Sequence, residues 1–196
     1  MAIDLGTGDG RAVLARATAE PRTLAIGIDA NAASMIESSR RAAMPERKGG
    51  RPNALFVVAA AEAAPPELAR LADEVTIALP WGSLLAGVLG RDERVAAGVA
   101  SLVAPGGLVR SVVSTASCDG RDLPALDHRL AAAIADAWAR HGLTLAAFRP
   151  ATTAELAGMH STWARRLGLG SGTTATRNAW PIELRQSVDT PGDAAR

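Results

Sequence analysis

The chain has 196 residues, 48% of them hydrophobic, and a formal net charge of +1. That length suits one α/β domain with a sizeable core, and the near-neutral charge excludes a polycation that binds nucleic acid over its whole surface. Cys118 is the only cysteine, His128, His141 and His160 lack metal-ligand spacing, no apolar run spans a membrane, and no basic-then-apolar leader precedes the first strand; a cytoplasmic, metal-free protein is expected.

Strand and helix signals alternate from the start, the pattern of a parallel sheet with helical crossovers. Ala2–Leu5 reads as a first strand and Arg11–Ala19 as the helix after a glycine loop. Thr23–Ile28 reads as strand two, ending in Asp29, and Ala32–Ala43 as a helix followed by a basic loop to Pro52. Leu55–Ala59 is strand three, Glu67–Leu71 a short helix, and Val75–Leu79 strand four, broken by Pro80. A helix over Arg91–Leu102 stops at Pro105-Gly106-Gly107, and Leu108–Ser114 follows as strand five. Leu126–Arg140 reads as a helix capped by His141-Gly142, Leu143–Phe148 as strand six, Thr153–Leu156 and Thr162–Leu167 as short helices, and Thr176–Leu184 as the last strand. A single domain over residues 1–188 is expected, with a disordered tail over 189–196. Trp138 and Trp180 fall inside a helix and a strand and read as core residues.

Asp4-Leu5-Gly6-Thr7-Gly8-Asp9-Gly10 is an acid closing a short strand, followed by glycines at alternate positions. Glycine permits a sharp turn and close approach to a ligand, and ligands of open α/β sheets bind beyond the carboxyl ends of the strands. Asp4 is placed to meet the amino-acid end of S-adenosylmethionine (SAM), with the Gly6, Thr7, Gly8 and Gly10 backbone beside it. Asp29, followed by Ala30, is placed to accept hydrogen bonds from ribose hydroxyls; on its own it also reads as a helix cap or turn residue. Ala60-Ala61-Glu62 follows strand three, where small residues hold an adenine ring. The competing ligand is a nicotinamide dinucleotide, whose fingerprint is G-x-G-x-x-G where this loop is G-x-G-x-G. The fold expected is therefore a Rossmann-like, class I SAM-dependent methyltransferase: a mostly parallel, seven-stranded sheet with helices on both faces.

Three further segments carry a substrate signal. Leu79-Pro80-Trp81-Gly82-Ser83-Leu84-Leu85 leaves strand four with a tryptophan in the turn, in a chain with 3% aromatic residues; Trp81 reads equally as a base platform or as a core residue capping the sheet. His160-Ser161-Thr162-Trp163-Ala164-Arg165-Arg166-Leu167 sets a tryptophan beside hydroxyls and arginines, or is an amphipathic turn with Trp163 buried. Arg40, Arg41, Arg47, Lys48 and Arg51 form the densest positive run, which is a solvated face or a phosphate-contacting one.

Together these segments resemble the Kam/Npm-type aminoglycoside-resistance 16S ribosomal RNA methyltransferases, which methylate N1 of adenine 1408 in the decoding site. The resemblance covers most of the chain. It implies that Trp81 and Trp163 sandwich a flipped adenine, with the Ser161 hydroxyl near the methyl and the base. It also implies that Asp4, Gly6, Asp29, Ala61, Glu62, Leu79 and Ser83 contact SAM, and that Arg40, Arg41, Arg47, Lys48, Arg165 and Arg166 dock on rRNA. The partner implied is the small ribosomal subunit, met by a monomer. Adenine N1 has an in-plane lone pair and is uncharged at neutral pH, so no general base is required. Family members carry a segment before strand one, so the chain is expected to be N-terminally truncated. Alternative readings are a methyltransferase of another RNA such as tRNA, one of a small molecule, or a catalytically silent SAM- or RNA-binding protein. The basic run and Trp163-Ala164-Arg165-Arg166 argue against a small molecule.

Overall fold

The computed structural model describes residues 1–115, 126–152, 154–155 and 178–188. Seven strands form one sheet: β1 (Ala2–Leu5), β2 (Ala25–Asp29), β3 (Ala54–Val58), β4 (Ala72–Ala78), β5 (Val103–Thr115), β6 (Leu143–Phe148) and β7 (Asn178–Gln186). Their order is β3-β2-β1-β4-β5-β7-β6. The first five run parallel, and β7 slots antiparallel between β5 and β6. The order reverses between β1 and β4, and that switch point opens a crevice at the strands' carboxyl ends.

Five α-helices flank the sheet: α1 (Arg11–Ala19), α2 (Ala32–Ala42), α3 (Gly82–Val88), α4 (Glu93–Leu102) and α5 (Leu130–Ala139). Successive strand residues point to opposite faces, so β2 serves two cores. Ala25 joins Val13 and Ala17 of α1, Ala42 of α2 and Ala54 of β3. Ile26 and Ile28 join the larger cluster, with Val88, Val95, Val99, Leu102, Ile134 and Trp138 from α3, α4 and α5. Trp138 is fully buried, and its indole Nε1 donates to the Val88 carbonyl at 3.1 Å, which locks α5 to the end of α3. Trp180 is also buried, with ring centroids 4.7 Å from a tilted Phe148 and 4.9 Å from an edge-on His128. Both tryptophans are core residues, as their periodicity predicts.

Most element ends shift by a few residues from the sequence reading, and four differences change the local structure. Residues 82–88 form a helix where a turn was expected, because Trp81 in extended conformation starts α3 without any side-chain cap. The expected helix at Glu67–Leu71 is a single 3₁₀ turn over Pro66–Leu68, and β4 begins at Ala72 immediately after it. Helix α4 starts at Glu93, where the Asp92 carboxylate accepts from the amides of Arg94 and Val95. It passes directly into β5 at Val103: Pro105-Gly106-Gly107 lies within a register shift between β4 and β5, not in a loop ahead of the strand. The expected helix over Thr162–Leu167 lies outside the described residues.

Candidate active site

A cavity of about 700 Å³ fills the crevice at the carboxyl ends of β1, β2 and β4. Asp4, Gly6, Thr7, Gly8, Asp29, Ala30, Ala60, Ala61, Glu62, Leu79 and Ser83 all line it, together with Trp81. Residues far apart in sequence thus line one cavity, as the strand-end argument predicts. Gly10 does not line the cavity. It caps α1 in left-handed conformation (φ 71°), and a Cβ there would collide with the Phe56 ring. Its part is to let α1 start against β3.

The glycine loop is held by the two aspartates that flank it. Gly6 and Gly8 have φ of 73° and 59°, a region that costs a non-glycine residue about 1–2 kcal/mol. The Gly8 amide donates to Asp29 Oδ2 at 2.8 Å, and the Asn31 amide to Asp29 Oδ1 at 2.8 Å. Asp29 therefore ties the loop to the turn before α2, which Asn31 caps. Each carboxylate oxygen keeps a further lone pair free to accept from a hydroxyl, so the turn role leaves room for a ligand.

Asp4 sits at the floor of the cavity. The Thr7 hydroxyl donates to its Oδ2 at 2.6 Å. Burial pushes the Asp4 pKa above the ordinary carboxylate range, while the Thr7 hydrogen bond and the Arg16 charge pull it back part-way. A carboxylate desolvated without a cation in contact suits a bound ammonium group, such as that of the methionine part of SAM. The opposite wall is built differently. Ala61 starts a 3₁₀ turn over Ala61–Ala63, and Gly98 of α4 lies so close that a Cβ would collide with the Ala61 carbonyl. The missing side chain at position 98 thus sets how far the small-residue wall stands from the cavity.

The turn after β4 carries Trp81 to the rim. Leu79 is left-handed (φ 52°) and Gly82 likewise (φ 57°), while the Leu79 amide donates to the Val112 carbonyl at 2.8 Å. Bracketed by two such residues, Pro80-Trp81 leaves the sheet sharply. Trp81 is 38% exposed at the cavity edge, so it is not the core residue capping the sheet. Leu84 closes the side of the cavity against Gly6, where a Cβ would approach its Cδ2 to 2.7 Å. Arg11, Ala12, Ser34 and Leu84 also line the cavity. The strand-end argument missed them because each projects from a helix whose facing only the fold decides.

The expected docking cations separate on the structure. Arg40 pairs with Glu37 at 2.8 Å. Arg41 on α2, and Arg47 and Lys48 on a 3₁₀ turn over Glu46–Lys48, are exposed. Ser161, Trp163, Arg165 and Arg166 lie outside the described residues. Among the described residues no cluster of acidic, histidine or cysteine side chains could hold a metal ion, and no helix is long and apolar enough to cross a membrane.

The family model for NpmA, 16S rRNA (adenine(1408)-N(1))-methyltransferase, matches residues 1–179. The chain belongs to this family. NpmA-family relatives of the same description include one from Escherichia coli, 41% identical over 100 residues, a match spanning 51% of this chain and 46% of that protein. Another, from Streptoalloteichus tenebrarius, is 35% identical over 175 residues, covering 84% of this chain and 79% of that one. The chain thus spans about half the length of the first relative and most of the second. Among solved structures, a variant of the enzyme from Catenulisporales acidiphilia with cosubstrate SAM superposes with a TM-score of 0.84 at 33% identity, over 98% of this chain and 87% of that one. The antibiotic-resistance methyltransferase Kmr gives 0.80 at 32% identity, over 96% and 87%. The fold is that of a SAM-dependent methyltransferase, and the cavity lies at the switch point where open α/β sheets bind their ligands.

Proposed function

We infer that this NpmA-family chain methylates N1 of adenine 1408 in 16S rRNA of the small ribosomal subunit, and so protects the decoding site from aminoglycosides such as kanamycin and apramycin. The observation that carries the reading is a single cavity holding a buried, cation-seeking carboxylate at one end and a rim tryptophan at the other. SAM supplies an electrophilic methyl group, which an adenine N1 lone pair accepts without prior loss of a proton. Asp4 holds the ammonium end of the cofactor, Asp29 its ribose, and Ala60, Ala61 and Glu62 its adenine. Ser83 and the Leu79 backbone border the methyl end.

Trp81 offers a π-face for a base taken out of its stack, a contact of about 1–3 kcal/mol. Trp163 is its partner on the other face of the base, with Ser161 beside the reacting atoms. Arg40, Arg41, Arg47, Lys48, Arg165 and Arg166 position the RNA by its phosphates. The enzyme acts as a metal-free monomer. No comparison favours tRNA or a catalytically silent protein.

Reverse transcription across the decoding site tests the reading. Small subunits incubated with protein and SAM should acquire a SAM-dependent stop at adenine 1408, because N1 methylation blocks Watson–Crick pairing. Read-through there, with the protein folded and SAM-bound, refutes it.

A further inference from the structure

We propose that a second cleft, between α1 and the α2–β3 connection, is a seat for one phosphodiester of the RNA substrate; this rests on the rRNA reading above. The cleft has a volume of about 260 Å³, and Arg11, Arg41 and Arg51 line it with Ala15, Thr18 and Gly49. Three arginines thus border one cleft, and no carboxylate is in the lining. The nearest acid in contact is Asp9, 3.4 Å from Arg11 Nε. Arg41 makes no ion pair among the described residues. Arg41 and Arg51 belong to the basic run that the sequence offers as a solvated or phosphate-contacting face, whereas Arg11 comes from α1 and only the fold brings it to them.

The site is built, not a loose basic surface. The Pro45 carbonyl accepts from the amides of Lys48 (2.8 Å) and Gly50 (3.2 Å), and the Arg51 amide donates to the Ala42 carbonyl at 2.9 Å. Gly49 is left-handed (φ 87°), and Gly50 is pressed so tightly on Met44 that no Cβ fits. The connection is therefore a tight knot at the end of α2. It delivers Arg51 back onto α1, where Nε donates to Thr18 Oγ1 at 2.7 Å and Nη1 to the Gly50 carbonyl at 2.8 Å. Both acceptors are neutral, so the guanidinium is oriented while its charge stays unneutralised. An oriented guanidinium with donors to spare matches a phosphate's paired oxygens. Arg11 also lines the cofactor cavity, so a phosphate in this seat lies on the side of α1 next to the cofactor loop.

A shape test separates a seat from a general basic field. Ala15 is exposed on α1 within the cleft. Ala15→Phe fills the cleft and keeps every charge, whereas Arg51→Gln removes a charge and keeps the space. Each should weaken binding of purified small subunits roughly five- to tenfold near 0.1 M salt and lower the log–log salt slope by about 1, with SAM affinity unchanged. Titration of both variants with inorganic phosphate forms the second arm. Wild-type affinity and slope in Ala15→Phe overturn the seat even if Arg51→Gln weakens binding, since a diffuse field then suffices. Phosphate binding lost in both variants, with subunit binding intact, also overturns it, by making the cleft a site for free phosphate. Failure of the wild type to bind subunits overturns it too. Seat-dependent subunit binding without a stop at adenine 1408 keeps the seat and refutes the methylation reading; methylation that both variants leave untouched does the reverse.

Discussion

Thr7→Val isolates the hydrogen bond that keeps Asp4 ready for its ligand. Valine keeps the shape of threonine and removes the donor 2.6 Å from Asp4 Oδ2. A hydrogen bond to a charged group contributes about 1.5–3 kcal/mol, and about 1.4 kcal/mol is tenfold in binding. Water entering the open cavity replaces part of that contact, so the lower end applies: SAM should bind roughly tenfold more weakly at neutral pH. The pH dependence has a definite sign. Burial raises the Asp4 pKa in the folded protein, so the unpaired carboxylate lowers stability as pH climbs from the ordinary aspartate value through the raised one. A bound ammonium offsets that loss only while Asp4 is ionised. The stabilisation given by SAM should therefore shrink as pH falls through the raised pKa, with proton release on binding inside that window. Thr7→Val should move the loss to higher pH, and Thr7→Ser should restore the wild-type profile. Calorimetry in buffers of different ionisation enthalpy, with thermal melts with and without SAM, reads both effects. Equal SAM affinity and an unmoved pH profile in Thr7→Val would refute the role given to the pair.

Two further substitutions address the other walls. Trp81→Ala should lower methylation of small subunits roughly 5- to 150-fold, the equivalent of about 1–3 kcal/mol of base stacking, with a far smaller change in SAM affinity; single-turnover assays beside SAM titration separate the two. Gly98→Ala should push Ala61 into the cavity, lowering stability by about 1–3 kcal/mol and weakening SAM together, and a variant with unchanged melting temperature and SAM affinity would show that the wall does not depend on that contact.

The strand framework was legible because short apolar runs end in Asp4, Asp29 and Pro80, and each such end points to the crevice. Asp4, Asp29 and Glu62 could be placed in one site from that logic alone. The connections were less legible. Helix α3 lacks a side-chain cap, so Trp81-Gly82-Ser83 read as a turn, and Pro65-Pro66 made a 3₁₀ turn resemble a short helix. Gly98 carries no local signal at all, since its importance comes from a carbonyl on a segment far away in sequence. The cleft beside Arg51 was hidden for the same reason: Arg11 and Thr18 lie on α1, and only packing on the sheet brings them to the α2–β3 knot.

The sheet order has a consequence for how this fold changes over time. Strands β1 and β2 carry Asp4 and Asp29 near their carboxyl ends, whereas Trp81 hangs from β4, anchored to β5 through Leu79 and Val112. In the proposed assignment, grip on the methyl donor and choice of acceptor therefore sit on different strands, which pair through the β1–β4 ladder. Drift confined to Trp81 would change the surface offered to the acceptor while Asp4 and Asp29 stay in place, so the two ends of the cavity form separate units of heritable variation.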